Sequence, residues 1–124
     1  MPSILIIDDE PDVLEATKFA FELQGYEVAT ADSGEKALQI LKASPPQVLL
    51  VDYKLPGMSG AKFLEAARAV NPNIPAVMIT GLTTEVEELE AECRRLGVAA
   101  FLHKPLQMEE VFRVIKEALQ GSHG

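Results

Sequence analysis

The chain has 124 residues, of which 48% are hydrophobic and 24% charged, a composition typical of one globular domain. Its 11 Lys and Arg residues against 19 Asp and Glu residues give a net charge of −8, which argues against direct binding of a nucleic-acid backbone. The single cysteine, Cys93, excludes an internal disulfide, and no signal peptide or membrane-spanning run is evident. We therefore expect a cytoplasmic domain without membrane contact.

Five short apolar runs predict strands. They are ILII (4–7), YEVAT (26–30), VLLV (48–51), AVMI (76–79) and VAAFL (98–102). Continuous apolar runs are typical of strands that are covered on both faces, and YEVAT is the weakest of the five.

Segments with the apolar spacing of helices follow each strand. Their predicted buried faces are Val13, Thr17, Ala20 and Leu23; Ala37, Leu38 and Leu41; Phe63, Leu64, Ala67 and Val70; Val86, Leu89, Cys93 and Leu96; and Met108, Val111, Phe112, Ile115 and Leu119. Asp32 with Glu35 and Thr84 with Glu87 have capping-box spacing, while Gly25 and Gly97 stand where helices should end. Five alternating strands and helices predict an α/β fold with a parallel sheet and helices on both faces. We expect one domain over residues 1–120 and a flexible tail over 121–124.

Polar residues follow four of the predicted strands. They are Asp8 and Asp9 after the first strand, Asp52 after the third, Thr80 after the fourth and Lys104 after the fifth. Because ligands bind beyond the carboxyl ends of the strands in an open parallel sheet, we expect these side chains to converge at one edge.

This set of residue types indicates phosphoryl transfer. Clustered carboxylates repel one another and need a cation, and oxygen ligands suit Mg²⁺ or Mn²⁺. Lys104 supplies positive charge for an anion, and Thr80 supplies a hydroxyl. A metal, an ammonium and a hydroxyl around one carboxylate describe a site whose nucleophile is an aspartate, here Asp52.

The chain resembles the receiver domain of two-component response regulators, the CheY-like family, from Ser3 to about Leu119. The matching motifs are the acidic pair after ILII, Asp52 in LLVDYKLPGMSG, Thr80–Gly81 in VMITG, and Lys104–Pro105 in FLHKP. The resemblance implies a flavodoxin-like (βα)5 sandwich with strand order 2-1-3-4-5.

The resemblance also implies a role for each site residue. Asp52 is the expected phosphoacceptor, and Thr80 and Lys104 are expected to contact the phosphoryl oxygens. The metal ligands implied by the family are Asp9, Asp52 and the backbone carbonyl of Lys54, with Asp8 acting through water. The Lys104–Pro105 peptide bond is expected to be cis.

The same resemblance implies that the chain is a signalling switch, and we expect no enzymatic activity beyond its own phosphorylation and dephosphorylation. A sensor histidine kinase or a phosphotransfer protein is the expected donor. The expected switch residues are Thr80 and Phe101. At the position of Phe101, Tyr is common in the family. Their rearrangement is expected to alter the face of the fourth helix, fifth strand and fifth helix, for an output domain, a partner or a second copy. In the family, the side chains at the positions of Lys54 and Leu82 flank the approach of the water that hydrolyses the aspartyl phosphate. Neither side chain is a general base here, which predicts slow autodephosphorylation.

Other readings of these residues exist. Asp9 is also a suitable helix cap, Asp52 a suitable turn residue, and Lys104 a suitable solvated lysine. A Mg²⁺-dependent phosphatase or phosphotransferase with an aspartate nucleophile would need a general acid at position 54, where Lys stands, and a cap insertion. An unphosphorylated scaffold usually lacks part of the acidic pair or the lysine, and this chain has all three.

Overall fold

A computed structural model describes residues 1–81 and 84–121. The strands are β1 (Ser3–Ile7), β2 (Glu27–Ala31), β3 (Val48–Asp52), β4 (Ala76–Thr80) and β5 (Ala100–His103). The helices are α1 (Pro11–Leu23), α2 (Gly34–Ala43), α3 (Gly60–Val70), α4 (Val86–Arg95) and α5 (Met108–Gly121). Helix α5 thus includes Gly121, the first residue of the expected tail, and residues 122–124 lie outside the described chain.

The five strands form one parallel sheet in the order β2-β1-β3-β4-β5. This confirms the predicted α/β architecture. Strand β5 begins at Ala100, two residues later than the apolar run suggested. Within the described ranges, no helix has the length and apolar character needed to cross a bilayer.

The sheet is packed on both faces, as its continuous apolar strands require. Alternate residues of β1 point to opposite sides: Leu5 and Ile7 join one buried cluster, and Ile4 and Ile6 join the other. The first cluster includes residues of α2, α3 and α4, and the second includes residues of α1 and α5. The central strands β3 and β4 are buried along their whole length. The sheet therefore provides a rigid base for the side chains at its edge.

The helix ends differ from the capping-box predictions, which were wrong at both positions. Helix α2 is capped by Ser33, whose Oγ accepts from the Lys36 backbone N–H at 3.3 Å. Asp32 instead pairs with the Lys36 ammonium at 3.0 Å. Helix α4 begins at Val86, one residue later than a cap at Thr84 would predict, and its N-cap is Glu85. The helix-ending glycines were predicted correctly, because Gly25 and Gly97 adopt left-handed φ angles of 89° and 78°.

The buried face of α1 was predicted only in part: Thr17 is buried as expected, but Phe21 was missed and Leu23 was wrong. Phe21 is fully buried, and its ring makes edge contacts with Tyr26 and Phe112. Leu23, expected in the core, is 70% exposed. The core face therefore runs through Thr17 and Phe21.

Candidate functional site

Four carboxylates meet at the carboxyl edge of the sheet. One oxygen from each of Asp8, Asp9, Glu10 and Asp52 lies within 4.8 Å of the others. Strands β1 and β3 are direct neighbours, so the residues at their ends leave the sheet side by side. Asp8 and Asp52 are buried, whereas Asp9 and Glu10 are exposed. Glu10 was missed from the sequence, where its signal is its place as third residue of the acidic run.

Lys104 reaches into this cluster from the end of β5. Its Nζ lies 3.1 Å from Asp52 Oδ2, 3.3 Å from Glu10 Oε1 and 3.5 Å from Asp8 Oδ2. Its backbone N–H donates to the Thr80 carbonyl at 2.8 Å, which extends the pairing of β4 and β5 to the site. The Lys104–Pro105 peptide bond is cis. One ammonium therefore balances part of the charge of three carboxylates.

Burial and neighbouring charges shift the pKa values of Asp52 and Lys104. Removal from water, opposed by the hydrogen bond from Lys104 and assisted by the charge of Asp8, raises the pKa of Asp52 to about 6. Burial alone would lower the pKa of Lys104. Its hydrogen bond to Asp52 and the charges of Asp52 and Asp8 outweigh burial, so that its pKa is raised. The site thus keeps its lysine charged and holds a carboxylate that a cation would stabilise.

The backbone around Asp52 is held closely by β4 and by the start of α3. The Tyr53 N–H donates to the Ile79 carbonyl at 2.7 Å, and the Gly60 N–H donates to the Tyr53 carbonyl. A Cβ at Gly60 would lie 2.6 Å from the Asp52 carbonyl oxygen and 2.8 Å from Tyr53 Cα. Lys54 is exposed, and its backbone contributes a hydrogen bond that lowers the pKa of Asp52. Because only glycine fits at position 60, α3 begins directly against the strand end that carries Asp52.

The expected switch residues lie on β4 and β5. Thr80 is 1% exposed at the end of β4. Phe101 is half-buried and packs against the cluster beneath α2, α3 and α4, with its ring centroid 5.5 Å from that of His103. His103 is exposed, and its Nε2 lies 3.8 Å from Glu90 Oε1. Leu82, the second residue expected to flank the path of water, lies outside the described residues.

The donor set fits a hard divalent cation. Carboxylate oxygens are the ligands that Mg²⁺ and Mn²⁺ prefer, and two exposed carboxylates leave room for retained water or a phosphate oxygen. Lys104 stands beside Asp52, where it can also bind an anion. The edge therefore combines a buried carboxylate, a set of oxygen donors suited to a cation and a positively charged lysine.

Comparison with known proteins identifies the family. The model of the response regulator receiver domain matches residues 4–116. The chain belongs to the response regulator receiver domains. It is 35% identical over 117 residues to the regulatory protein AtoC of Escherichia coli K12, covering 94% of this chain and 25% of that protein. It is 29% identical over 116 residues to sporulation initiation phosphotransferase F of Bacillus subtilis 168, covering 94% of this chain and 92% of that protein.

Solved structures agree with this assignment. A CheY-like receiver domain from Methanospirillum hungatei JF-1 has a TM-score of 0.93 and 31% identity, with 99% of this chain and 97% of that chain covered. This confirms the expected flavodoxin-like arrangement with strand order 2-1-3-4-5.

Family membership establishes the general role of the domain. Receiver domains are signalling switches of two-component systems that bind Mg²⁺ at an acidic pocket, and they interact with histidine kinases or phosphotransfer proteins. The chain spans a quarter of AtoC and half of the transcriptional regulatory protein TcrX of Mycobacterium tuberculosis H37Rv. Relatives of this kind therefore carry further sequence beyond the receiver.

Proposed function

We propose that this receiver accepts a phosphoryl group from a phosphohistidine onto Asp52 and thereby switches a signalling surface. The observation that carries the proposal is the contact between a buried carboxylate and a lysine, at 3.1 Å, inside a cluster of four carboxylates. Family membership supports this class of reaction, and the carboxylate cluster supports Asp52 as its acceptor.

In the proposed step, an oxygen of Asp52 attacks phosphorus in line with the leaving nitrogen. The new O–P bond forms as the N–P bond breaks, and the electron pair stays on the donor imidazole. Lys104 moves its hydrogen bonds from the carboxylates to a phosphoryl oxygen and stabilises the transferred charge. Asp9, Asp52 and the Lys54 carbonyl would hold Mg²⁺ or Mn²⁺, with Asp8 acting through water. When bound, the ion neutralises charge shared by the carboxylate and the phosphoryl group.

The proposed output begins at Thr80. Its hydroxyl moves toward the acyl phosphate, and Phe101 turns into the space that this movement opens. Phe101 has no hydroxyl, so it acts by packing alone and makes no hydrogen bond in either position. The affected face comprises α4, β5 and α5, which we propose contacts an output domain, a partner or a second copy of the chain.

The remaining expectations stay predictions. They are the absence of direct nucleic-acid binding, the cytoplasmic location and the absence of catalysis beyond the chain's own phosphorylation and dephosphorylation. The net charge of −8 supports the first of these. The rival reading as a Mg²⁺-dependent phosphatase is disfavoured, because position 54 carries an exposed lysine where that chemistry needs a general acid.

The proposal is tested by labelling with acetyl phosphate and Mg²⁺, read by intact mass. The wild-type chain should gain one phosphoryl group, which is lost in mild alkali, and Asp52→Asn should gain none. Asp32→Asn is the matched control, because Asp32 follows β2 at the same edge but pairs with Lys36 at 3.0 Å. Equal labelling of Asp52→Asn and wild type would overturn the assignment.

A further inference from the structure

Arg68, in the last turn of α3, binds the end of a different helix. Its Nε donates to the Leu96 carbonyl at 2.9 Å, and its Nη2 donates to the Gly97 carbonyl at 3.1 Å. Its Nη1 donates to the Ile74 carbonyl, in the segment that leads into β4. Burial lowers the pKa of this guanidinium, although it stays charged at neutral pH. One half-buried side chain therefore joins the ends of α3 and α4 to the start of β4.

These contacts act as a C-terminal cap for α4. The last carbonyls of a helix lack partners within the helix and carry partial negative charge. Leu96 and Gly97 follow the last helical residue, Arg95, and their carbonyls accept from a cationic fork. The left-handed Gly97, with φ of 78°, turns the chain so that its carbonyl faces Arg68.

At the opposite end of α4, the described residues, which resume at Thr84, provide no comparable cap. Its N-cap, Glu85, has a left-handed φ of 60°, a conformation that is unfavourable for a residue with a side chain. The Glu85 side chain makes no capping hydrogen bond to the described part of the helix. Two of the ten helical residues are buried: Leu89, which completes the first turn, and Cys93, about one turn later. Helix α4 is therefore packed on the core from Leu89 onward and capped at its C-terminal end.

We propose that Arg68 is a positioning residue that anchors the C-terminal end of α4, so that a change at the phosphorylation site displaces the helix at its N-terminal end. The direction of this displacement rests on the proposed function, because Thr80 ends β4 and the chain then passes to the N-terminal end of α4. The altered surface is then the first turns of α4 beside β5. The last turn, with Arg94 and Arg95, keeps its place in both states.

Hydrogen exchange read by mass spectrometry tests this in the full chain. In the wild type, segment 91–99 should exchange more slowly than segment 84–90. Beryllofluoride with Mg²⁺, an analogue of the phosphoryl group, should change exchange in 84–90 and leave 91–99 unaltered. Arg68→Met should speed exchange in 91–99 by roughly tenfold or more, since it loses hydrogen bonds made by a charged group. Exchange in 91–99 should then also respond to beryllofluoride.

Two further variants make the outcome specific. Arg95→Met removes an exposed arginine from the last turn of α4 and should behave as the wild type. Arg68→Lys keeps the charge without the planar fork, and should speed exchange in 91–99 less than Arg68→Met does. Exchange in 91–99 that is the same in Arg68→Met and Arg95→Met would overturn the proposal. So would a wild-type response to beryllofluoride of equal size in both segments.

The two proposals fail in different ways. A wild type that shows no response to beryllofluoride in either segment counts against phosphorylation at Asp52. The exchange of segment 91–99 in the untreated variants still decides whether Arg68 anchors α4.

Discussion

Lys104 Nζ lies 3.1 Å from Asp52 Oδ2, and the same ammonium also contacts Glu10 and Asp8. The lysine thus offsets part of the negative charge of three carboxylates in the absence of a phosphoryl group. A bound cation would take over part of this role and release the lysine toward an incoming anion. In the proposed phosphoryl transfer, the pair would therefore link metal binding to the capture of the phosphoryl group.

Replacing Lys104 should separate these two roles. Lys104→Met should tighten Mg²⁺ binding, because a competing positive charge is removed, and should slow phosphorylation by about tenfold or more, because the transferred charge loses a donor. Metal titration and the rate of labelling from acetyl phosphate measure the two effects. Lys62→Met, an exposed lysine in the first turn of α3, is the control. Weaker Mg²⁺ binding in Lys104→Met would contradict this account of the charge balance.

The raised pKa of Asp52 predicts a pH dependence of stability without metal. With a native pKa of about 6, above the ordinary 3.8, the protonated carboxyl favours the folded state. This contribution is complete below about pH 4 and is lost as pH rises through about 6. Asp52→Asn removes the dependence and should stabilise the chain at neutral pH by about 2 kcal/mol. Urea unfolding of both proteins in EDTA, at about pH 5 and about pH 7.5, measures this effect. The unfolding free energy of Asp52→Asn should exceed that of the wild type by more at the higher pH. An equal excess at both pH values would refute the raised pKa of Asp52.

Mg²⁺ should stabilise the wild type and have less effect on a chain without Asp9. At a tenfold excess over Kd, binding to the native state adds about 1.4 kcal/mol. Asp9→Ala should also be slightly more stable than the wild type in EDTA, since one of four neighbouring negative charges is gone. Thermal melts in EDTA and in Mg²⁺ measure both effects. Equal shifts of the two melting curves by Mg²⁺ would show that Asp9 is not a ligand.

Gly60 should be intolerant of any side chain. In Gly60→Ala, the new Cβ would meet the backbone of Asp52 and Tyr53 at under 3 Å, so α3 or the strand end must move. We expect a loss of about 2 kcal/mol in unfolding free energy and weaker Mg²⁺ binding. Gly57→Ala is the control, because Gly57 lies in the segment between β3 and α3, with φ of 80° and open space around its Cβ position. It should cost about 1 kcal/mol from backbone strain alone and bind Mg²⁺ more tightly than Gly60→Ala does.

The sequence was sufficient for the sheet and for the convergence of the site. Continuous apolar strands between helical patterns allow few arrangements, and parallel strands bring Asp8 and Asp52 to one edge whatever the loops do. The contacts of long side chains were not predictable in this way. Arg68 and Glu10 act across distances that depend on the placement of whole helices. The choice of Ser33 over Asp32 as helix cap depends on a one-residue difference in where the helix begins.

Direct mapping of the phosphorylated residue tests the central claim. After incubation with acetyl phosphate and Mg²⁺, borohydride reduces an aspartyl phosphate to homoserine, which peptide sequencing by mass spectrometry locates. We predict homoserine at position 52 alone, and none when EDTA replaces Mg²⁺. Homoserine at Asp8 or Asp9 with Asp52 intact, or undiminished labelling in EDTA, would contradict the account.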